Sequence, residues 1–165
     1  MNDWERIVKR CGPTVWRTAW RLLGRHADAA DCYQEAFASA LEIARRERVQ
    51  NWKALLRQLA TRRALDILRR RYRTSEHREE AVEVAMLATE VGNPVKTAEA
   101  GELAERLREG IARLPQRQAE AFCLRFVEGM SYRGIARRLG MDTNAVGVLL
   151  HRARKRLGEL LRGVG

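Results

Sequence analysis

The residues between Ser131 and Leu157 have the types and spacing needed to hold and read DNA. Small polar side chains come first, where an early helical turn can reach base edges in a major groove, and cations follow, where they can meet phosphates. The residues suited to this chemistry are Thr143, Asn144, Gly147, His151, Arg154 and Lys155. The alternative is an amphipathic C-terminal helix whose basic face is simply solvated.

Two short helices joined by a tight turn are predicted to position these side chains. Ser131 can cap the first helix, Gly140 can end it in the left-handed conformation, and Asp142 can cap the second helix. An apolar stripe at helical spacing in the second helix is formed by Val146, Leu150, Ala153 and Leu157. The pattern therefore predicts a helix-turn-helix.

Catalytic and metal-binding patterns are lacking in the sequence. It contains no carboxylate pair in an apolar setting, no His-x-Glu with Cys-x-x-Cys, and no glycine-rich phosphate loop. The three histidines lie in separate segments. Three widely spaced cysteines are expected to be small core residues, namely Cys11, Cys32 and Cys123. We therefore predict no catalytic residue, no metal and no cofactor.

The charge of the chain predicts a polyanionic partner. The formal net charge is +11 and the sequence pI is about 10.7, which favours nucleic acid. A basic membrane-surface protein is the competing interpretation, but the cations are mixed with core-forming residues instead of lying along one amphipathic helix. The sequence has no apolar run of about 18 residues and its N-terminus does not resemble a signal peptide, so a cytoplasmic location is expected.

Apolar residues at helical spacing, with glycine and proline at the turns, predict an all-α protein. A first helix is expected to end at Gly12, and Pro13 suits the first turn of a second helix that stops at Gly24. Asp28 is predicted to cap a third helix.

The composition predicts two small helical domains, at 1–73 and 102–165. The segment 74–101 between them is acidic and rich in small residues, which indicates a flexible linker. The second domain is expected to open with one inward stripe, formed by Leu103, Leu107, Ile111 and Leu114.

Two further surfaces are candidates for binding. Asp31, Gln34 and Glu35 share one face of the third helix, which suits a basic protein partner; an acidic first turn that complements the helix dipole explains them equally well. The helix from Lys53 to Arg73 carries many arginines that can follow a phosphate backbone. Asn51 and Trp52 precede it, and the indole could stack on an unpaired base, unless it is simply a core residue.

Three runs, in this order, resemble the sigma-70 family of bacterial transcription initiation factors, and specifically its extracytoplasmic-function (ECF) group. DAADCYQEAF at 28–37 resembles region 2.2 of the family, and LLRQLATRRALDILRRR at 55–71 resembles regions 2.3 and 2.4. The run 114–157, with its SY-x-x-IA-x-x-LG helix and its HRARKRL ending, is similar to region 4.

The resemblance implies a non-enzymatic specificity subunit that binds core RNA polymerase at the beta-prime clamp and beta flap. It would direct polymerase to minus-35 and minus-10 promoter elements and help open the duplex. The implied polymerase contacts are Asp31, Gln34 and Glu35. The implied minus-10 contacts are Asn51, Trp52, Arg62, Arg63, Arg69, Arg70 and Arg71. The implied minus-35 contacts are Thr143, Asn144, Gly147, His151, Arg152, Arg154 and Lys155. An anti-sigma factor is expected as a possible partner by analogy.

The chain departs from the family pattern at three positions. Leu55 stands where a tryptophan is common, Arg62 where an asparagine is common, and Gly134 where a glutamate completes a capping box. A free-standing helix-turn-helix regulator is the alternative function, but it requires a dimer and palindromic operators, and the sequence shows no dimerisation helix.

Overall fold

The computed structural model describes residues 3–73 and 94–162, and every regular element within these two ranges is an α-helix. The seven helices of the described residues are α1 (Trp4–Leu23), α2 (His26–Arg46), α3 (Trp52–Arg73), α4 (Pro94–Arg113), α5 (Gln116–Phe126), α6 (Tyr132–Leu139) and α7 (Thr143–Arg162). The prediction of an all-α protein is confirmed. The first three helices form one bundle and the last four form a second.

α1, α2 and α3 pack against one another around a core of small and aliphatic side chains. Leu23 of α1 and Leu56 and Leu68 of α3 are fully buried. Burial of such a leucine contributes about 2 kcal/mol to folding. Alanines of α2 fill the remaining space, which lets the three helices approach closely.

α1 continues through Gly12 and Pro13, so the predicted break at Gly12 is wrong. A proline inside a helix costs about 3 kcal/mol because it removes a hydrogen bond and crowds the preceding turn. Residues on both sides of the proline nevertheless bury along the same face, which offsets this cost; they are Cys11, Val15, Ala19, Leu22 and Leu23. Gly12 also lets α1 approach α2 closely, since a Cβ there would lie 2.9 Å from the Tyr33 hydroxyl, so the ring would have to shift.

α2 begins two residues before the predicted cap, so the prediction that Asp28 caps this helix is also wrong. Arg25 occupies the N-cap position without a side-chain hydrogen bond. The Asp28 carboxylate instead accepts a hydrogen bond from Arg71 Nη2 at 2.6 Å. Asp28 therefore makes a charge-assisted hydrogen bond to a distant arginine instead of a local capping bond.

The last part of the segment predicted as a linker, 74–101, belongs to a helix. Residues 74–93 lie outside the described residues, but α4 begins at Pro94, so 94–101 are helical. Proline suits the first turn of a helix because its missing N–H would have no partner there. Leu103, predicted to face inward, is 62% exposed, whereas Ile111 and Leu114 are buried. Ile111 in the last turn of α4 and Leu114 just after the helix therefore contribute to the core.

In the second bundle, α7 packs against α4, α5 and α6. The two bundles also touch directly, because α3 contacts α4, α5 and α6. Apolar residues of α4, α5 and α7 join the same buried cluster as those of α1 to α3. α3 is thus the helix of the first bundle that contacts the second bundle most extensively.

Candidate nucleic-acid interface

α6 and α7 form the predicted helix-turn-helix, with the predicted caps. Ser131 Oγ accepts a hydrogen bond from the Gly134 N–H at 3.0 Å, and Asp142 Oδ1 accepts one from the Ala145 N–H at 2.7 Å. Gly140 ends α6 with a φ of 66°, in the left-handed region. The three predictions for this turn are confirmed.

One side of α7 is buried, and the other is open to solvent. Val146 and Leu150 pack with Ile135 and Leu139 of α6, which fixes the rotation of α7 about its axis. The solvent-facing side carries Thr143, Asn144, His151, Arg152, Arg154 and Lys155, all exposed. At Gly147, on the same helix, an added Cβ would meet only Tyr132, at 3.8 Å. The predicted minus-35 contacts therefore all lie on α7, and all except the half-buried Gly147 are exposed.

An aromatic ring positions one of these cations. The Arg154 guanidinium lies over the Phe126 ring, 4.5 Å from its centroid, and Phe126 is 44% exposed. Stacking on an aromatic face holds the guanidinium plane and leaves its N–H edges able to donate. Arg154 is thus held next to the end of α5.

The predicted minus-10 arginines of α3 point to two different sides of the helix. Arg62 and Arg69 are seven residues apart, about two turns, and both face the second bundle. Arg62 Nε lies 2.7 Å from Glu120 Oε1, and Arg69 Nη2 donates to the Leu114 carbonyl at 3.3 Å. These two cations already have partners within the chain.

The other three arginines line a cleft of about 450 Å³ between α2 and α3. Its lining residues are Arg25, Asp28, Asp31, Arg63, Ile67, Arg70 and Arg71. Four arginines face two carboxylates, which leaves an excess of positive charge. Burial, and then the charge of Arg71, lower the pKa of Arg25, while Glu105 and Asp28 act in the opposite direction. The cleft is electrostatically suited to an anion.

Arg71 has a structural role and is poorly accessible to a ligand, because only 5% of its side chain is exposed. Its Nη1 donates to the Leu23 carbonyl at 3.0 Å and its Nη2 to Asp28 at 2.6 Å. The side chain thereby ties the end of α1 and the start of α2 to α3. A phosphate could reach the exposed Arg70 much more easily.

Asn51 and Trp52 lie together at the N-terminus of α3, as the sequence requires. Asn51 Oδ1 accepts a hydrogen bond from the Ala54 N–H at 3.0 Å and so caps the helix. The Trp52 ring is half-buried and meets the Trp4 ring edge-on, with 5.1 Å between centroids. Both side chains therefore have structural contacts in addition to any role with DNA.

The predicted polymerase-binding residues are exposed on one side of α2. Asp31, Gln34 and Glu35 all face solvent, and half of the Asp31 side chain is exposed. Asp31 Oδ2 accepts a hydrogen bond from Arg63 Nη2 at 3.0 Å, which raises the pKa of the arginine. The acidic face of α2 therefore adjoins the basic cleft directly.

Sequence reasoning missed a group of polar side chains between the two bundles. We call it the interdomain cluster; its members are Thr18, Arg57, Gln58, Arg62, Glu120 and Glu128. Glu120 and Glu128 are buried, as are Thr18 and Gln58. No signal in the sequence distinguishes these residues, because a glutamate in an amphipathic segment is usually solvated.

The cysteines are free and buried, as predicted. Burial raises the pKa of Cys32 and of Cys123 to about 12, so neither thiol ionises near neutral pH. Within 3–73 and 94–162, no three or more histidine, cysteine, aspartate or glutamate side chains gather where they could hold a metal ion. Across the same residues, none of the helices has the length and apolar character needed to span a membrane.

The sequence matches two family descriptions, each covering one of the bundles. Sigma-70 region 2 matches residues 7–74, and Sigma-70, region 4 matches residues 104–157. The chain belongs to the sigma-70 family. The region 2 match covers α1 to α3, and the region 4 match covers most of α4 to α7.

One relative of this sigma-70 protein belongs to the ECF group. The chain is 29% identical over 163 residues to the ECF RNA polymerase sigma factor SigE of Mycolicibacterium smegmatis. That match covers 98% of this chain but only 62% of the relative, so the chain is much the shorter. Its fold is similar to that of the sigma factor RpoE from Bartonella quintana, solved in complex with the anti-sigma factor NepR. The TM-score is 0.56, with 21% identity and 98% of each chain covered.

Proposed function

We propose that this protein is a dissociable ECF sigma factor that binds core RNA polymerase and directs it to promoters. The observation that carries the proposal is the presence of both sigma regions in family order, each with its predicted contact face exposed. One face is acidic and lies on α2, and the other is basic and lies on α7. In this role the polymerase supplies all catalysis.

On this proposal, α7 reads the minus-35 element in the major groove. Thr143 and Asn144, in its first turn, face base edges, while Arg152 and Lys155 face phosphates further along. Gly147 lets the helix backbone approach the groove, and His151 and Arg154 extend the same face. Support comes from the exposure of this side of α7, since its rotation is set by the apolar contacts with α6.

For the minus-10 element, Arg62, Arg63, Arg69 and Arg70 of α3 would hold phosphates while the duplex opens. Arg71 would contribute by holding α3 against α1 and α2. An unpaired base would enter the loop at Asn51 and Trp52, and its unstacking, which costs a few kcal/mol, would be offset by contacts there.

The proposed protein partner is core polymerase, docked at Asp31, Gln34 and Glu35 through the beta-prime clamp, with the region 4 bundle near the beta flap. The Bartonella quintana relative was solved with an anti-sigma factor, and we propose a partner of the same kind for this chain. Such a protein works where polymerase meets the chromosome, in the cytoplasm.

A free-standing regulator is less well supported. A regulator that acts without polymerase would not require a region 2 bundle, the exposed acidic face of α2, or the arginines of α3.

The test is in vitro transcription with core polymerase on fragmented genomic DNA, with and without this protein, followed by mapping of RNA start sites. We expect starts that require the protein and share two spaced upstream elements. A matched variant, Glu35→Lys, should give fewer of these starts at limiting protein concentration while keeping its helical content. If the protein binds DNA but neither joins core polymerase nor creates new starts, the sigma assignment is wrong.

A further inference from the structure

The cleft between α2 and α3 concentrates hydrogen-bond donors that have no acceptor. Within 3–73 and 94–162, four buried side-chain polar atoms lack a hydrogen-bond partner, and three of them are arginine Nε atoms. These three belong to Arg25, Arg63 and Arg71, which all line this cleft. Buried donors are nearly always paired in folded proteins, so three around one cleft indicate an acceptor that comes from solution.

The charges around the cleft indicate what kind of acceptor it takes. Two of its four arginines are already paired with the two carboxylates of the lining. The other two, Arg25 and Arg70, form no ion pair with a carboxylate of the described residues. Four cations against two carboxylates leave two positive charges, and a dianion that accepts hydrogen bonds would balance them.

Three further carboxylates act on these arginines from outside the lining, namely Glu35, Asp66 and Glu105. Glu105 lies 4.0 Å from Arg71 Nη1, but it is closer to Arg108 of α4, at 3.1 Å. Glu35 and Asp66 are exposed, so water and dissolved ions screen their charges. The cleft therefore keeps its excess of positive charge.

The size and lining of the cleft suit a small molecule that carries a phosphate group. Its volume of about 450 Å³ lies within the range of about 300–1,000 Å³ that is usual for small-molecule sites. Ile67 adds an apolar side chain to the lining, which can contact the rest of such a molecule. Arg25 is the N-cap residue of α2, so the positive end of this helix dipole adjoins the cleft.

We propose that this cleft binds a small phosphate monoester, held by Arg25, Arg63 and Arg70. A monoester carries a charge of about −1.5 to −2 at pH 7, which matches the excess in the cleft. Each phosphate of a DNA backbone is a diester with a single charge and matches it less well. The covered Nε atoms become available when the arginine side chains rotate slightly around the bound group, while Arg71 keeps its structural contacts.

A bound monoester would also affect promoter binding under the proposed function. Arg63 and Arg70 are two of the proposed minus-10 contacts, so the monoester would compete with backbone phosphates for the same guanidinium groups. Promoter affinity would then fall as the concentration of the monoester rises. This consequence rests on the sigma function, whereas binding of the monoester does not.

The test is isothermal titration calorimetry of the full-length protein with methyl phosphate at low salt. Dimethyl phosphate is the matched probe, because it is a diester of similar size with one negative charge. We expect one saturable site for methyl phosphate, with a dissociation constant below about 1 mM. Dimethyl phosphate should bind about tenfold more weakly or less, because it offers one charge fewer to the arginines.

Four variants locate the site. Arg25→Gln and Arg70→Gln each remove a cation that has no carboxylate partner, and each should weaken methyl phosphate binding about tenfold. Asp31→Asn removes a negative charge and releases Arg63, so it should strengthen binding several-fold, a result that misfolding does not produce. The control is Arg46→Gln, exposed at the other end of α2 and on the order of 30 Å from Arg25, which should leave the affinity unchanged.

The inference is wrong if methyl phosphate shows no saturable binding, or if Arg46→Gln loses as much affinity as Arg25→Gln and Arg70→Gln. It is also wrong if dimethyl phosphate binds as tightly as methyl phosphate and depends equally on Arg25, because the cleft would then be a site for the DNA backbone. In vitro transcription with the same preparations separates the two proposals. New starts without monoester binding reject this site alone, and monoester binding without new starts rejects the sigma function alone.

Discussion

α3 and α7 are both long basic helices, yet their cations differ in exposure and in hydrogen-bond partners. On α7, the predicted DNA contacts are exposed on one face, and Arg154 merely stacks on Phe126. On α3, Arg62, Arg69 and Arg71 are bound to carboxylates or carbonyls from other parts of the chain. A run of arginines thus indicates a basic helix without saying which guanidinium groups are available to a ligand.

The position of each helix explains the difference. α7 buries one apolar stripe against the other helices of its bundle, and its polar side remains in solvent. α3 is in contact with α1, α2, α4, α5 and α6, so few directions around it are open. An arginine that is buried on such a helix, as Arg71 is, must find a partner, because an unpaired buried charge is too unfavourable.

Among the arginines of α3, Arg71 should show the largest effect of being bound within the fold. Arg71→Ala should lower the free energy of unfolding by about 3 kcal/mol, because Asp28 and the Leu23 carbonyl lose their partner. Its exposed neighbour provides the control, and Arg70→Ala should change stability by less than about 0.5 kcal/mol. Urea denaturation followed by circular dichroism measures both. Equal, small effects would show that Arg71 is not a structural residue.

On α7 the expected losses are in DNA binding instead of stability. Asn144→Ala should alter base preference in the minus-35 element, with about 1–3 kcal/mol lost for the preferred base. Lys155→Ala should weaken binding to all sequences and reduce the slope of log affinity against log salt by about 0.9. Holoenzyme binding to a set of promoter variants at several salt concentrations measures both. Identical behaviour of the two variants would contradict the division between base and phosphate contacts.

The acidic face of α2 offers a third comparison, because Arg63 of α3 already binds one of its carboxylates. Glu35→Lys should reduce the affinity for core polymerase about tenfold, or about 1.4 kcal/mol, by placing a cation in an acidic contact. Fluorescence titration with core polymerase measures this. Glu159→Lys, exposed on α7, is the control for a general charge effect. A larger loss in the control would move the docking site away from α2.

The smallest effects are expected at two helical glycines, with opposite signs. Gly147→Ala should stabilise the protein by about 0.5–1 kcal/mol, because helix propensity improves and the new Cβ makes only an ordinary contact with Tyr132. Gly12→Ala should destabilise it, because a Cβ 2.9 Å from the Tyr33 hydroxyl forces the packed ring to move. Thermal unfolding measures both signs. Stabilisation at Gly12 would mean that Tyr33 adapts freely.

Some features of the molecule follow from the sequence alone because they depend on neighbours within one or two turns. Caps at Ser131 and Asp142, and the left-handed Gly140, depend on bonds that span three or four residues. The apolar stripe of α7 likewise determines which side faces solvent, so its candidate DNA face could be predicted residue by residue.

Only the tertiary structure decided how α1 passes Pro13, where the Asp28 carboxylate binds, and which α3 arginines are occupied. Each depends on a partner far along the chain: 43 residues separate Arg71 from Asp28, and 71 separate Arg57 from Glu128. Local preferences are weak compared with burial and charge pairing across a packed interface. The exposed faces of α2 and α7 were therefore predictable, whereas the contacts that close the two bundles were not.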